Sequence, residues 1–407
     1  MENSYGSINN DKKEETEIQK NSFDNIKSKY VLKQIFDMLN RKTMLKIINY
    51  CKKIQQRIEI TIEDFIELCK VEIEVMPRDL YVGDIRLINI PADMKSYCHI
   101  FIDDDPKEYF SETIPREKVV KKVKIILDYQ MVNFEHLFKL CGSFKYIHFK
   151  RFKRNDITTM YDMFKGCIGL KEINFEQFNT ENVRDMNSMF SECFSLKKIN
   201  LNKFKTDNVI NMKYMFFNCY LLEKLDLSNW SNKNTIDMSS MFDGCCNLTE
   251  LNLTNFNTNK VTNMRYMFYG CSSLKSLDLS SFDTSKVTEM VCMFDSCSSL
   301  KDLNISSFNN SNIINMNSMF KECSSLVQLD VSHFNVNKVT DMRKMFESCT
   351  SLTELSLFNM KNKSVNIMVD MFNKCSDVLK IKIKEKNKSL KKEAFGYYPE
   401  KKSCLIY

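Results

Sequence analysis

Cysteine is the side chain with the most chemistry to offer here, and ten of the sixteen cysteines fall on one interval. Cys141, Cys167, Cys193, Cys219, Cys245, Cys271, Cys297, Cys323, Cys349 and Cys375 recur every 26 residues, each three residues after a phenylalanine of the series Phe138 to Phe372. Thiolates bind zinc, pair as disulfides or act as nucleophiles. A structural zinc site needs close pairs such as C-x-x-C with a second pair nearby, whereas this interval supplies one thiol per unit. Consecutive units could bring Cα atoms within disulfide range, but side chains pointing the same way suit the bond poorly. One cysteine per unit is what packing alone would place, since a buried thiol behaves as a small hydrophobe. The ladder is therefore expected to be reduced core filler, and Cys245-Cys246 and Cys292 add no metal-ligand pattern.

Other chemistry is sparse. The four histidines, His99, His136, His148 and His333, neither recur nor join a motif, and no G-x-S-x-G, Walker or H-E-x-x-H sequence occurs. A second ladder, Asn174, Asn200, Asp226, Asn252, Asp278, Asn304 and Asp330, offers oxygen ligands that suit calcium. More than half of it is uncharged Asn, so a solvated polar face is the simpler expectation. The final Cys404-Leu405-Ile406-Tyr407, after Lys401-Lys402, has the shape of a prenylation signal with an unusual last residue. Cys404 is thus a lipidation candidate, and only that would bring the chain to a membrane. No enzyme, cofactor or metal is expected.

The elements that carry these residues follow from the period. A fixed interval of this length means stacked units, each unable to bury its apolar face alone. Residues 274–299 show the pattern. Leu274, Leu277, Leu279 and Phe282 alternate like a strand with one face inward. Val287 pins a connecting segment, and Met290, Met293, Phe294 and Cys297 follow at i, i+3, i+4, i+7, the stripe of a short helix. Asp or Asn before the first Met (Asp185, Asn211, Asp237, Asn263, Asn315, Asp341) is expected to cap that helix. The fold class is α/β: a leucine-rich-repeat-like solenoid of about ten strand-helix units over 131–384, a rod roughly 50 Å long. Trp230 stands where neighbouring units have Phe204 and Phe256, so it belongs to the core. Ile381 and Ile383, with lysines between them, read as a protected terminal strand.

The chain has 407 residues, a net charge of +7, and only 8 glycines and 5 prolines. Acidic residues lie among the basic ones almost everywhere, so nucleic acid is not an expected partner. Residues 1–26 are polar and expected to be disordered. Residues 27–70 read as a helical module through Val31, Leu32, Ile35, Phe36 and Leu39, then Met44, Leu45, Ile47 and Ile48. Residues 71–130 read as a mixed linker and cap, and 385–407 as a basic tail. No secretory h-region and no apolar run long enough to cross a membrane appear, so a cytoplasmic location is expected.

The unit M-F-x-x-C-x-S-L-x-x-L-[DN]-L-[ST]-x-F, as in MFDSCSSLKDLNISSF, resembles the BspA-like leucine-rich repeat over about two thirds of the chain. The resemblance implies a leucine-rich-repeat solenoid that binds protein without catalysis. Surface members of that family carry a signal peptide or lipobox, neither of which stands here. The segment YVLKQIFDMLNRKTMLKIINYCKKIQ is similar to an F-box-like helical module, with Tyr30-Val31 in place of the usual Leu-Pro. That likeness implies docking of a cullin-ligase adaptor through Ile35, Phe36 and Leu39. The expected function is a protein-binding scaffold using the outward strand columns: Lys171, Glu172, Lys197, Lys198, Glu223, Lys224, Lys275, Lys301 and Asp302. These change between units while the inward positions repeat. A ubiquitin-ligase substrate receptor acting through residues 30–60 and a BspA-like cell-surface adhesin are the alternatives.

Overall fold

Two left-handed residues in every 26 decide the shape of this chain. The computed structural model describes residues 26–39, 41–78, 84–115, 117–131, 133–175, 178–358, 367–387 and 390–396. Within each repeat, the residue before the second Met and the residue before Cys have positive φ. Ser188 (53°) and Glu192 (61°), Tyr214 (56°) and Asn218 (56°), and Tyr266 (57°) and Gly270 (67°) are examples. A continuous right-handed helix cannot pass through two such positions four residues apart. The M-x-x-M-F-x-x-C segment is therefore not the expected helix but a run of overlapping tight turns.

The backbone bonds of one unit show why those turns are stable. The amides of Met212, Tyr214, Phe216 and Asn218 donate to the carbonyls of Asp237, Ser239, Met241 and Asp243 in the next unit, at 2.7–3.0 Å. The alternate amides close local turns: Met215 to Met212, Phe217 to Tyr214 and Cys219 to Phe216. Every second amide thus holds the stack together and the others hold the unit together. The i, i+3, i+4, i+7 spacing marked buried positions correctly, since Met212, Met215, Phe216 and Cys219 are all fully buried.

Two further bonds refine the residue choices. Each ladder thiol from Cys167 to Cys375 donates to the carbonyl of the phenylalanine 29 residues earlier, at 3.0–3.3 Å (Cys245 to Phe216, for example). That carbonyl also accepts the cysteine amide of its own unit. The thiol is therefore a donor between units as well as filler. The Asp and Asn residues before the first Met form parallel bridges from unit to unit, eight in succession from Thr159↔Asp185 to Asp341↔Ile367. Their side-chain oxygens accept the amide two residues on, as Asp237 does from Ser239 at 2.8 Å. They close an Asx turn, not a helix N-terminus.

The opposite side of each unit is a short parallel strand. β6 (Phe144–Arg151) pairs with β7 (Glu172–Asn174), and β8 (Lys224–Asp226) with β9 (Glu250–Asn252). β10 (Ser276–Asp278) pairs with β11 (Asp302–Asn304), and β12 (Gln328–Asp330) with β13 (Glu354–Ser356). Between the two sides runs one core. Phe138 to Phe372 stack as a column with centroids 5.5–5.8 Å apart. Trp230 lies between Phe204 and Phe256, fully buried. The architecture is a β-solenoid with neighbouring units bound by backbone.

Both ends are capped. Four helices, α1 (Lys29–Met38), α2 (Arg41–Tyr50), α3 (Lys52–Ile58) and α4 (Ile62–Cys69), form a small separate core around Leu32, Phe36, Ile54 and Phe65. Ser28 caps α1, and Thr61 with Asp64 forms a capping box on α4. Next come β1 (Val71–Pro77), β2 (Ile85–Arg86), β3 (Cys98–Ile102), β4 (Thr113–Ile114) and β5 (Val123–Leu127). Strands β3, β5, β1, β6 and β7 lie in that order, antiparallel until β6 hands over to the parallel stack. Asn89 seals the first unit: its amide side chain donates to the carbonyls of His136 (3.0 Å) and Lys139 (2.7 Å), and its backbone to Leu137.

At the far end, residues 377–386 are not the expected terminal strand. They form α5 (Asp377–Lys386), N-capped by Ser376, with Leu379 and Ile383 buried and Ile381 56% exposed. The alternating Ile-Lys pattern misled because Leu379 and Ile383 also satisfy i, i+4. A 3-10 turn over Lys392–Phe395 then supplies the acceptors a further unit would have given: Asp370 donates to Glu393 and Phe372 to Ala394. Phe395 extends the aromatic column, 5.6 Å from Phe372. So part of the expected basic tail belongs to the cap. The rest of it, and the expected disordered tail up to residue 25, lie outside the described residues.

This packing protects the thiols and strains several carboxylates, Asp243 among them. Burial pushes the ladder thiols well above the ordinary cysteine range, Cys141 to about 12. Mass spectrometry after mild alkylation of the native protein is expected to find Cys51 and Cys246 modified while Cys167 to Cys349 stay intact until denaturant is added. Asp243 is half-buried and burial pushes its carboxyl up to about 6, offset in part by the Ser240 hydroxyl. Between pH 4 and 6 the native state holds this proton and the unfolded chain does not, so stability falls as pH rises through that window. Two pK units correspond to about 2.7 kcal/mol; solvent access reduces this to roughly 1 kcal/mol. Asp243→Asn is expected to melt higher than the parent at neutral pH and equally near pH 4.

The exposed strand face

Alternation along each short strand turns one residue in and two out. Leu225, Leu277 and Leu329 are buried, with exposed neighbours Lys224 and Asp226, Ser276 and Asp278, Gln328 and Asp330. Stacking in register then makes columns: Lys224 sits beside Glu250, and Ser276 beside Asp302. Of the nine residues expected on this face, Lys171, Glu172, Lys197, Lys198, Lys224, Lys301 and Asp302 line its trough, and Glu223 and Lys275 directly precede the strand residues. Lys171, Lys197, Lys198, Lys224, Lys275, Lys301 and Asp302 are exposed, as is Glu172 at the start of β7, while Glu223 is half-buried.

The face is a shallow trough in two stretches. The first, about 990 Å³, has Ile173, Ile199, Leu225 and Leu251 as its floor and Lys171, Lys197, Lys198 and Lys224 on its walls. The second, about 650 Å³, has Leu277, Leu303 and Leu329 below and Lys301, Asp302, Asp330 and Glu354 above. Ser276 lines both, so the two stretches adjoin. Lys197 pairs with Glu223 (3.6 Å) and Lys224 with Glu250 (2.5 Å), both across units and both at the surface. Sequence reading missed Glu250, Gln328 and Glu354 as wall residues. Their position next to an inward Leu, the same slot as Glu172 and Lys198, was the available signal.

The Asn/Asp ladder lies on this face, and its chemistry is local. Asn200, Asp226, Asn252, Asp278, Asn304 and Asp330 each accept the amide two residues on, at 2.9–3.2 Å. Hydrogen bonds from Ser280 and from Ser332 hold the Asp278 and Asp330 carboxyls below the ordinary range. These oxygens close turns, which explains why Asn serves as well as Asp.

The other expected sites fare differently. Phe36 is buried inside the helical module's own core, and Leu39 packs partly against it. The expected docking face of Ile35, Phe36 and Leu39 therefore lacks its central residue; among the described side chains of α1, Tyr30 and Val31 are the exposed apolar ones. Cys404 lies outside the described residues. Sequence reading also passed over His99. Its Nδ1 lies 2.9 Å from Glu108 and its Nε2 3.2 Å from Asp128. Burial opposes protonation, but the bonds to Asp128 and Glu108 outweigh it and hold the imidazole above its usual range. With both nitrogens engaged, His99 is a bridge between carboxylates. Among the described residues, no group of three or more His, Cys, Asp or Glu is placed to hold a metal ion, and no helix is long and apolar enough to cross a membrane.

This geometry defines a class: a repeat protein whose stacked short strands present one long, polar-walled face. Residues 130–249, 222–304 and 271–385 match the family described as "Mycoplasma protein of unknown function, DUF285", and the chain belongs to that family. No curated protein matches it. Among solved structures, a leucine-rich repeat protein from Eubacterium ventriosum is similar at 15% identity over 55% of this chain and 82% of that one, with a TM-score of 0.26. The TLR13–ssRNA13 complex is similar at 12% identity over 53% of this chain and 48% of that one, with a TM-score of 0.14. Neither superposition is close enough to transfer anything to this chain.

The wall residues carry little of the fold. Reversing the charge of Lys198 or Asp302 is expected to change unfolding free energy by less than about 0.5 kcal/mol. Leu277→Ala, in the floor, is expected to cost about 2–4 kcal/mol. Denaturant melts of the three variants test the division.

Proposed function

We propose that this chain is a non-catalytic scaffold that binds another protein along the strand face of its solenoid, in the manner of BspA-like leucine-rich-repeat proteins. One observation carries the reading. The floor holds Ile or Leu from Ile173 to Leu329, while the two outward slots beside it change from unit to unit: Lys171-Glu172, Lys197-Lys198, Glu223-Lys224, Lys275-Ser276, Lys301-Asp302. Stability alone asks only that those slots be polar. A repeated floor under a varied wall is the arrangement that recognises a particular partner, with charge setting orientation and encounter rate.

The test uses the full chain as bait in native lysate, beside Lys197→Glu/Lys198→Glu, Lys301→Glu/Asp302→Lys and the control Lys286→Glu, whose side chain is exposed away from the trough strands. The expected result is a partner retained by the parent and the control and reduced about tenfold by one or both face variants. Raised salt should weaken the capture. Equal recovery by all four proteins would overturn the reading.

A further inference from the structure

The rim of the strand face changes character halfway along the stack. One column holds Ile168, Phe194, Tyr220, Cys246, Ser272, Ser298, Ser324 and Thr350. From Ser272 onward the side chains serve the backbone: each hydroxyl donates to a carbonyl in the unit before, Ser272 to Cys246, Ser298 to Ser272, Ser324 to Ser298 and Thr350 to Ser324, at 3.2–3.4 Å. The same slot therefore accepts serine, and serine adds a bond. In the first half it carries Ile168, Phe194 and Tyr220 instead. Phe194 and Tyr220 stack at 5.0 Å and 16°. Ile168 (41% exposed) covers Gly142, where an added Cβ would lie 2.7 Å from its Cγ1. Leu140 (60%) before them and Leu221 (38%) after extend the apolar run.

That run is bordered mainly by lysine, with Glu172 and Glu223 interspersed. Three residues beyond Ile168 and Phe194 stand Lys171 and Lys197, both exposed, with Lys198 alongside. Lys197 reaches Glu223 at 3.6 Å, which leaves Lys171 and Lys198 facing solvent. We propose that this stripe is a docking surface for an amphipathic helix of a partner protein, with an apolar face and acidic flanks. It rests on the reading of the chain as a protein-binding scaffold and names the partner's chemistry. Spacing supports it: an α-helix advances about 5.4 Å per turn, close to the 5.0 Å between Phe194 and Tyr220. Side chains at i, i+4 and i+7 of such a helix fall over successive members of the column. The lysines select the flanks. A membrane surface fits less well, because Glu172 and Glu223 lie among the same lysines.

The full chain is titrated, by fluorescence anisotropy, with two labelled synthetic helices of about 14 residues, long enough to span roughly 20 Å. Both carry leucines at i, i+4, i+7 and i+11; one has glutamate flanks and the other lysine. The glutamate-flanked helix is expected to bind the better. Ile168→Ser/Phe194→Ser/Tyr220→Ser, which installs the side chain the later units already use, is expected to weaken it about tenfold or more. Lys171→Glu/Lys197→Glu, on exposed positions, should shift preference to the lysine-flanked helix. Parent binding that favours the lysine helix, binding indifferent to the triple variant, or no binding by either helix overturns the proposal. So does stripe-dependent sedimentation with phosphatidylserine vesicles in place of helix binding. The stripe variants leave Lys301 and Asp302 untouched, so failure here with partner loss at those two residues sinks the helix and spares the scaffold.

Discussion

On the turn side of the stack, every second amide must find a carbonyl in the next unit, and most other features answer to that demand. It fixes the 26-residue interval, because an insertion within a unit would carry the amides of Met212, Tyr214, Phe216 and Asn218 past their acceptors. It also forces the left-handed residues. Each costs about 1–2 kcal/mol for a side chain other than glycine, and each aims an amide along the stack that a right-handed residue would aim along its own helix. Buried backbone groups are costly to leave unpaired, so the strain is retained for the bonds it permits. Stacked phenylalanines and thiols then fill the interior that the backbone has already defined.

Much of this was legible in the sequence, but not by the usual signs. The period, the inward Leu, Met, Phe and Cys positions and Trp230 as a core replacement can be read directly. The helix could not be excluded, because tight turns and a helix bury the same i, i+3, i+4, i+7 set. The tell-tale residue would be glycine, yet of the left-handed positions only Gly166, Gly244 and Gly270 are glycine in the repeats; the others are Ser, Glu, Asn, Tyr, Lys, Asp, Cys, His and Leu. Tertiary bonds, not local preference, hold them there, and a single sequence does not display such bonds. The final segment failed for a related reason. A pattern of Leu379, Ile381 and Ile383 satisfies both periods, and only the Ser376 cap favours the helix.

The strand face was easier to read than the rim. Alternation names outward residues one unit at a time, so Lys171 to Asp302 follow from the period of two. The apolar stripe appears only when one slot is followed through successive units and compared with itself. Ile168, Phe194 and Tyr220 are unremarkable singly; against Ser272, Ser298 and Ser324 they are departures from the hydroxyl residue that the later units use.

That contrast separates two kinds of variation in a repeat. Where the fold needs only a polar residue, change is free and says little about stability, as in the wall columns. Where the fold has a use for one residue type and the chain departs from it, something is given up. Ile168, Phe194 and Tyr220 donate no hydroxyl to the carbonyl one unit back, although Ser195 serves that of Ile168 in place of residue 194, and they expose apolar surface to water as well. Exposed apolar runs on soluble proteins are unusual enough to mark contact sites. The two halves of this solenoid, alike in backbone, are thus unlike in what they offer: a serine rim that bonds the stack, and an apolar rim, edged by lysine, that packs along the stack and still leaves apolar surface open.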